Sequence, residues 1–271
     1  MSALASRPRR PRRPSHLGLR LLGAVVGLWL VAPTLVVIPM GFTAANTFQF
    51  PPSDWTLDRY SSLFSDPAWF DALKTSVIVA VLVTALATVL GTAAAFGLSR
   101  SRFRMKPAIS AVLLVPMVVP TVVVAIAIYA IFLKWRFVGT LHGFVLAHTL
   151  LALPFVFVPV TASLQTFDRR LERAAASLGA PPLRAFLQVT LPSIRSGVLT
   201  GALFAFITSF DELVVSLFLG TATVRTLPVQ MYGSVTREID PTVAAASTVT
   251  LLLTTTLLLA VLFRPQREAV L

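Results

Sequence analysis

Six long apolar runs separated by shorter polar segments dominate this chain: Leu19–Phe42, Thr75–Leu98, Ala108–Leu133, Leu141–Leu164, Ser196–Leu219 and Thr242–Phe263. A helix rising about 1.5 Å per residue needs about 20 apolar residues to cross a hydrocarbon core about 30 Å thick, and every run reaches that length. The pattern therefore predicts an all-α integral membrane protein with six transmembrane helices. These runs use up most of the 271 residues, so the expected organisation is a basic tail over residues 1–18 and one transmembrane domain over residues 19–271. The first run is too long for the apolar core of a cleaved signal peptide, and no clean cleavage site follows it.

Two polar interruptions stand out. The segment TAANTFQFPPSDWTLDRYSSLFSDPAWFDALKT, broken at Pro51-Pro52, reads as an outer loop whose tryptophans and tyrosine suit a membrane interface. The second, LERAAASLGAPPLRAFLQVTLPSI, lies in a loop of about residues 165–195 and reads as a helix, a break and a helix. Its first helix, Leu171–Leu178, ends at Gly179 as a C-terminal cap, and Pro181-Pro182 opens the next turn where a missing N–H does no harm. Ala174, Ala175 and Leu178 form a shallow face suited to docking rather than chemistry. Within the apolar runs, Thr84, Thr88 and Thr92 beside Gly91 mark close helix packing. Pro116 and Pro120 predict either a kink or a broken helix in the third run.

Composition agrees with the pattern: 56% of residues are hydrophobic and only 13% charged, against about a quarter charged in soluble domains. The net charge of +12 invites a nucleic-acid reading of RPRRPRRPSH, but topology explains it better. With the N-terminus inside, 17 of the 23 basic residues fall in cytoplasmic segments, leaving Arg59, Lys74, Lys134, Arg136, Arg225 and Arg237 outside. That asymmetry is the positive-inside rule, and the tail is read as an anchor against anionic lipid, with no nucleic-acid partner. The expected location is a bacterial cytoplasmic membrane, multi-pass, with both termini in the cytoplasm.

The residue inventory excludes several chemistries. There is no cysteine, hence no disulfide or thiolate site, and the three histidines lack ligand partners at metal spacing. His148 is expected to form a helix–helix hydrogen bond. No G-x-x-x-x-G-K-[ST] motif occurs, so the chain is not expected to be an enzyme or to hold a cofactor, and any ATP must be bound elsewhere.

The second interruption resembles the cytoplasmic signature of the integral-membrane permeases of binding-protein-dependent ATP-binding-cassette importers: EAA, three residues, Gly, nine residues, I-x-L-P. Here Ala174-Ala175 precede Gly179, and nine residues later stands Val189-Thr190-Leu191-Pro192. Arg173 occupies the glutamate position, with Glu172 just before it. The segments LLVPMVVP, TSFDELVVSLFL and TLPVQMYGSVTREIDPTVAAASTV are similar to the spermidine/putrescine-type branch, in particular its second permease subunit. The resemblance implies the MetI-like permease fold and a loop of coupling helices that fits a cleft on an ATPase, with Glu172, Arg173, Ala174, Ala175, Leu178, Gly179 and Pro182 in that contact. It implies as partners an ATPase dimer that binds ATP and Mg, a PotB-like sister permease, an extracytoplasmic solute-binding protein and a small amine-bearing, cationic solute.

Asp211 and Glu212 are the acids deepest in an apolar run, and an ionisable group inside a membrane is a functional candidate by default. A continuous helix from Arg195 would carry Asp211 about 24 Å up. It would align Gly197, Gly201, Ala205, Thr208, Glu212 and Ser216 in one stripe, with Asp211 at its flank. Either the acids fix packing or, together with Thr208 and Ser216, they line a path for a cation. An ion-driven secondary transporter would have to rely on these two acids alone. An intramembrane protease would need a serine or second aspartate partner, and none is recognisable for His148 or Asp211.

Overall fold

The computed structural model describes residues 17–237 and 239–263, so most of the basic tail, with Arg264 and Arg267, lies outside the described residues. The helices in chain order are α1 (Leu17–Met40), α2 (Asp58–Ser65), α3 (Pro67–Arg100), α4 (Lys106–Val118), α5 (Thr121–Trp135), α6 (Leu141–Thr166), α7 (Arg170–Ser177) and α8 (Pro182–Ala185). A π-helical turn (Phe186–Thr190) follows, then α9 (Leu191–Ser193), α10 (Arg195–Phe210), α11 (Val214–Leu219), α12 (Leu227–Thr236) and α13 (Thr242–Leu262). Extended pairing among the described residues is limited to a bridge between Thr43 and Trp55.

The centre of the bundle is the trio α3, α6 and α10. Small residues bring these helices together. A Cβ added to Gly91 on α3 would stand 2.8 Å from the Val156 side chain, and one on Gly201 of α10 would stand 2.9 Å from the Val156 Cα. Val156 on α6 is thus gripped between two glycines, and a Cβ on Gly197 would stand 2.7 Å from the Pro159 carbonyl oxygen. Sterically, this is the close backbone approach that small residues permit between membrane helices. A second apolar cluster gathers Leu63, Trp69, Ala80, Phe210, Leu227, Val243 and Ala246 around α2, α3, α10, α12 and α13. Helix starts are sequence-coded: the Asp66 carboxylate accepts from Ala68 N–H ahead of Pro67, and Thr140 Oγ1 accepts from Gly143 N–H.

Two of the six apolar runs are not single helices. The third breaks into α4 and α5, bent by 104°. Pro120 explains the break: it holds Val119 extended at φ −77°, ψ 134° and supplies no N–H to continue α4. The fifth run ends its first helix at Phe210 rather than continuing to Leu219, so Asp211–Leu213 form a break before α11. Trp69 departs from the expected interface role. Only 2% exposed, it donates its indole N–H to Asp240 Oδ2 at 2.9 Å, while Asp240 Oδ1 accepts from Thr242 N–H at the start of α13. In the outer loop Arg59 donates to the carbonyls of Thr43, Ala44 and Ala45 and to Asn46 Oδ1, folding residues 43–46 around one guanidinium.

Candidate functional site

The break after α10 separates the two acids that the sequence placed side by side. Glu212 is buried, and its carboxylate turns onto the first turn of α11: Oε1 accepts from Val215 N–H and Oε2 from Ser216 N–H, both at 2.9 Å. A carboxylate meeting unpaired amide hydrogens at a helix start satisfies those donors and is itself stabilised by them. Asp211 is exposed and accepts no hydrogen bond among the described residues. Its own N–H closes α10 on the Ile207 carbonyl.

His148 of α6 holds the break together. Fully buried, it is hydrogen-bonded through Nδ1 to Ser209 Oγ and through Nε2 to Ser216 Oγ, both at 3.1 Å, with Glu212 Oε2 3.7 Å from Nε2. A neutral imidazole has one donor and one acceptor nitrogen, so one serine receives a hydrogen bond from the ring and the other gives one. The expected helix–helix bond is there. His148 has serine partners that sequence reading missed, yet a ring with no exposed surface offers no route to a peptide substrate, so the cluster is a structural clasp across the break.

The stripe expected on a continuous helix is divided accordingly. Gly197, Gly201 and Ala205 are buried and form the packing face of α10, and Ser216 is buried beside His148. Thr208 sits off that face, half-buried. Phe204, Thr208 and Asp211, at i, i+4 and i+7, share the sector of α10 that the rest of the chain leaves least covered.

The loop between α6 and α10 forms the helix pair that its sequence encodes. Gly179, at φ +85°, donates to the Ala176 carbonyl and Ala180 donates to the Ala175 carbonyl, the two reverse bonds that end a helix on a left-handed residue. Pro182 opens α8 at its first position. Ala174 and Leu178 are exposed, Leu178 by 90%, and Ala175 is half-buried.

Glu172 and Arg173 point different ways. Glu172 Oε1 receives Arg100, the last residue of α3, and the hydroxyl of Thr190 in the π-helical turn. The Arg100 guanidinium lies over the rings of Phe96 and Phe167, 5.2 and 5.8 Å from their centroids. Arg169 adds a hydrogen bond of 2.7 Å to the Ser99 carbonyl. Arg173, one residue or about 100° further round α7, is exposed. Arg100 and Thr190 were missed by sequence reading, although an arginine ending an apolar run opposite a glutamate in the next inner loop was a usable signal.

The chain is a helical membrane bundle whose polar interruption folds into a short, largely exposed helix pair, α7 and α8, at one end. The family described as "Binding-protein-dependent transport system inner membrane component" matches residues 87–268, and the chain belongs to it. The putrescine transport system permease protein PotI of Escherichia coli (strain K12) is 30% identical over 88% of this chain and 86% of its own length. The spermidine/putrescine transport system permease protein PotC of Haemophilus influenzae is 31% identical, over 83% of this chain and 87% of its own. Among solved structures, a bacterial transporter importing the acidic polysaccharide alginate matches with a TM-score of 0.68 at 14% identity, over 93% of this chain and 97% of that one, and supports the fold. The protein is thus an inner-membrane permease subunit of an ATP-driven importer, a family that works with an ATPase and a solute-binding protein.

Proposed function

We propose that this subunit imports a short aliphatic polyamine of the putrescine or spermidine class, and that Asp211 is the carboxylate that meets it. The observation that carries the reading is the unequal burial of the two acids. Glu212 is committed to α11, whereas Asp211 is exposed at a helix break, beside Thr208 and Phe204, with no partner among the described residues. A cation that sheds water in the membrane needs fixed negative charge in its place, and a carboxylate at a helix break supplies it. The similarity to PotI and PotC favours the same cargo. In this reading the exposed sector of α10 faces a PotB-like sister permease, with the solute passing between the two chains. An extracytoplasmic binding protein delivers the solute, and an ATPase dimer holding ATP and Mg engages α7 and α8 through Arg173, Ala174, Leu178 and Pro182. Both termini lie in the cytoplasm.

The test is uptake of radiolabelled putrescine and spermidine by a strain lacking its own polyamine importers, supplied with the full transporter. Asp211→Asn is expected to cut uptake at least about tenfold, a loss of one charge contact worth about 1.4 kcal/mol, at unchanged abundance of the complex. Normal uptake by Asp211→Asn removes Asp211 from the path. Failure of the wild-type transporter to accumulate either amine removes the polyamine assignment.

A further inference from the structure

The docking loop of this chain presents cations outward and keeps its glutamate for itself. Between Asp168 and Ser193 the acids are Asp168 and Glu172, and the bases are Arg169, Arg170, Arg173 and Arg184. Glu172 is held by Arg100 and Thr190. Asp168 Oδ1 accepts from Arg170 N–H at the start of α7, and Arg169 is drawn back to the Ser99 carbonyl. What remains on the outer surface of the helix pair is the side chains of Arg170, Arg173 and Arg184, beside Leu178 and Leu183, which are 90% and 69% exposed.

A partner that closes over those leucines must also cover the guanidinium groups. Removing an arginine from water without a matching acid is strongly unfavourable, and juxtaposing like charges at an interface suppresses binding. From this arrangement, and resting on the docking role proposed above, we propose that the ATPase cleft receiving α7 and α8 carries a carboxylate that pairs with Arg173, so that the permease supplies the cation of this contact. Arg173 is the nearer candidate because it lies on α7 next to the small Ala174, where a partner backbone can approach. The planar fork of the arginine suits a bidentate carboxylate contact.

The experiment uses inside-out membrane vesicles containing the complete transporter, washed with rising NaCl, with the ATPase subunit retained on the membrane quantified at each step. Arg173→Glu is expected to release the ATPase at a salt concentration about threefold or more lower than wild type, with Arg173→Gln between them. Glu172→Gln is expected to leave the release point unchanged, because that carboxylate faces inward. Retention of the ATPase by Arg173→Glu to the same or higher salt overturns the inference, as does weakened retention by Glu172→Gln alone. A carboxylate-to-lysine replacement in the ATPase cleft that restores retention to Arg173→Glu identifies the partner group. Leu178→Asp separates the layers: if it does not weaken retention, the docking role of the loop fails and the charge assignment with it. If it does weaken retention while Arg173→Glu does not, only the charge assignment fails. Release by Arg173→Glu that occurs in phosphatidylglycerol-rich vesicles and vanishes in zwitterionic ones would assign Arg173 to lipid headgroups and overturn the pairing.

Discussion

Asp211 and Glu212 are chemically near-equivalent neighbours in opposite surroundings, the first exposed and the second buried. Both oxygens of Glu212 accept backbone N–H groups of α11, and its neighbour His148 spans Ser209 on one side of the break and Ser216 on the other. Changes here are expected to act on stability. Glu212→Gln keeps one acceptor oxygen and loses the charge-assisted bond to the other amide, while His148→Ala strands two buried hydroxyls at about 1–3 kcal/mol each. Both should lower the thermal midpoint of the detergent-solubilised complex, His148→Ala more, with uptake falling in proportion to the folded complex remaining. A Glu212→Gln transporter that keeps wild-type thermal stability but does not transport would return this residue to the solute path. The sequence exposed both acids as candidates but could not divide them, because the division depends on where α10 stops. Nothing in TSFDELVVS marks that stop: no glycine or proline interrupts it. It is the tertiary bond from His148, 61 residues upstream of Ser209, that fastens the two helices on either side of the gap.

At the scale of the element, legibility follows whether the deciding signal is local. Gly179 and Pro182 lie within the segment they shape, and the helix, cap and second turn emerge where the sequence placed them. The break between α4 and α5 was half-legible: Pro120 offered it, but kink and break differ only in what the surrounding helices support. The inward turn of Glu172 was legible only through Arg100 at the end of the preceding inner helix, since it requires the end of α3 to lie against α7. Gly179 permits a sharp test of its local role. A Cβ there would meet nothing within 4 Å, so any penalty is conformational and comes from the left-handed backbone. Transport per ATP hydrolysed should decline in the order Gly, Asn, Ala, Val. Asn should be close to wild type because it tolerates that conformation, Ala should cost about 1 kcal/mol or slightly more, and Val should cost most. Measuring the coupling ratio in proteoliposomes checks the order, and a Val variant coupled as tightly as wild type would show that the angle between α7 and α8 is not set at Gly179.

At the scale of the whole molecule the open question is parity: a pair of helices bent by 104° can cross a membrane or dip into it and return, and the choice fixes the side of everything that follows. Bonds at the two ends of the bundle decide it. Arg100 to Glu172 and Arg169 to Ser99 tie the end of α3 to the start of α7, so the loops after α3 and after α6 share one face. From that face α10 runs away over 16 residues to Phe210. Beyond the break, Leu219 accepts a hydrogen bond at 2.9 Å from Gly139 N–H, in the short turn between α5 and α6. Gly139 therefore lies at the end opposite Arg100, and the chain between them, bent though it is, has crossed. Basic residues sort the same way: Arg102, Arg104, Lys106, Arg170, Arg173 and Arg184 lie in the loops at the Arg100 end, which the positive-inside rule assigns to the cytoplasm. A reporter enzyme that is active only outside the membrane should accordingly be silent when fused after Met105 and active when fused after Gly139. Activity at both sites would invert or unfix the Arg100 end. Silence at both would mean that α4 and α5 form a re-entrant pair, leaving α6 to enter from the cytoplasm and placing the loop that holds α7 and α8 on the outer face.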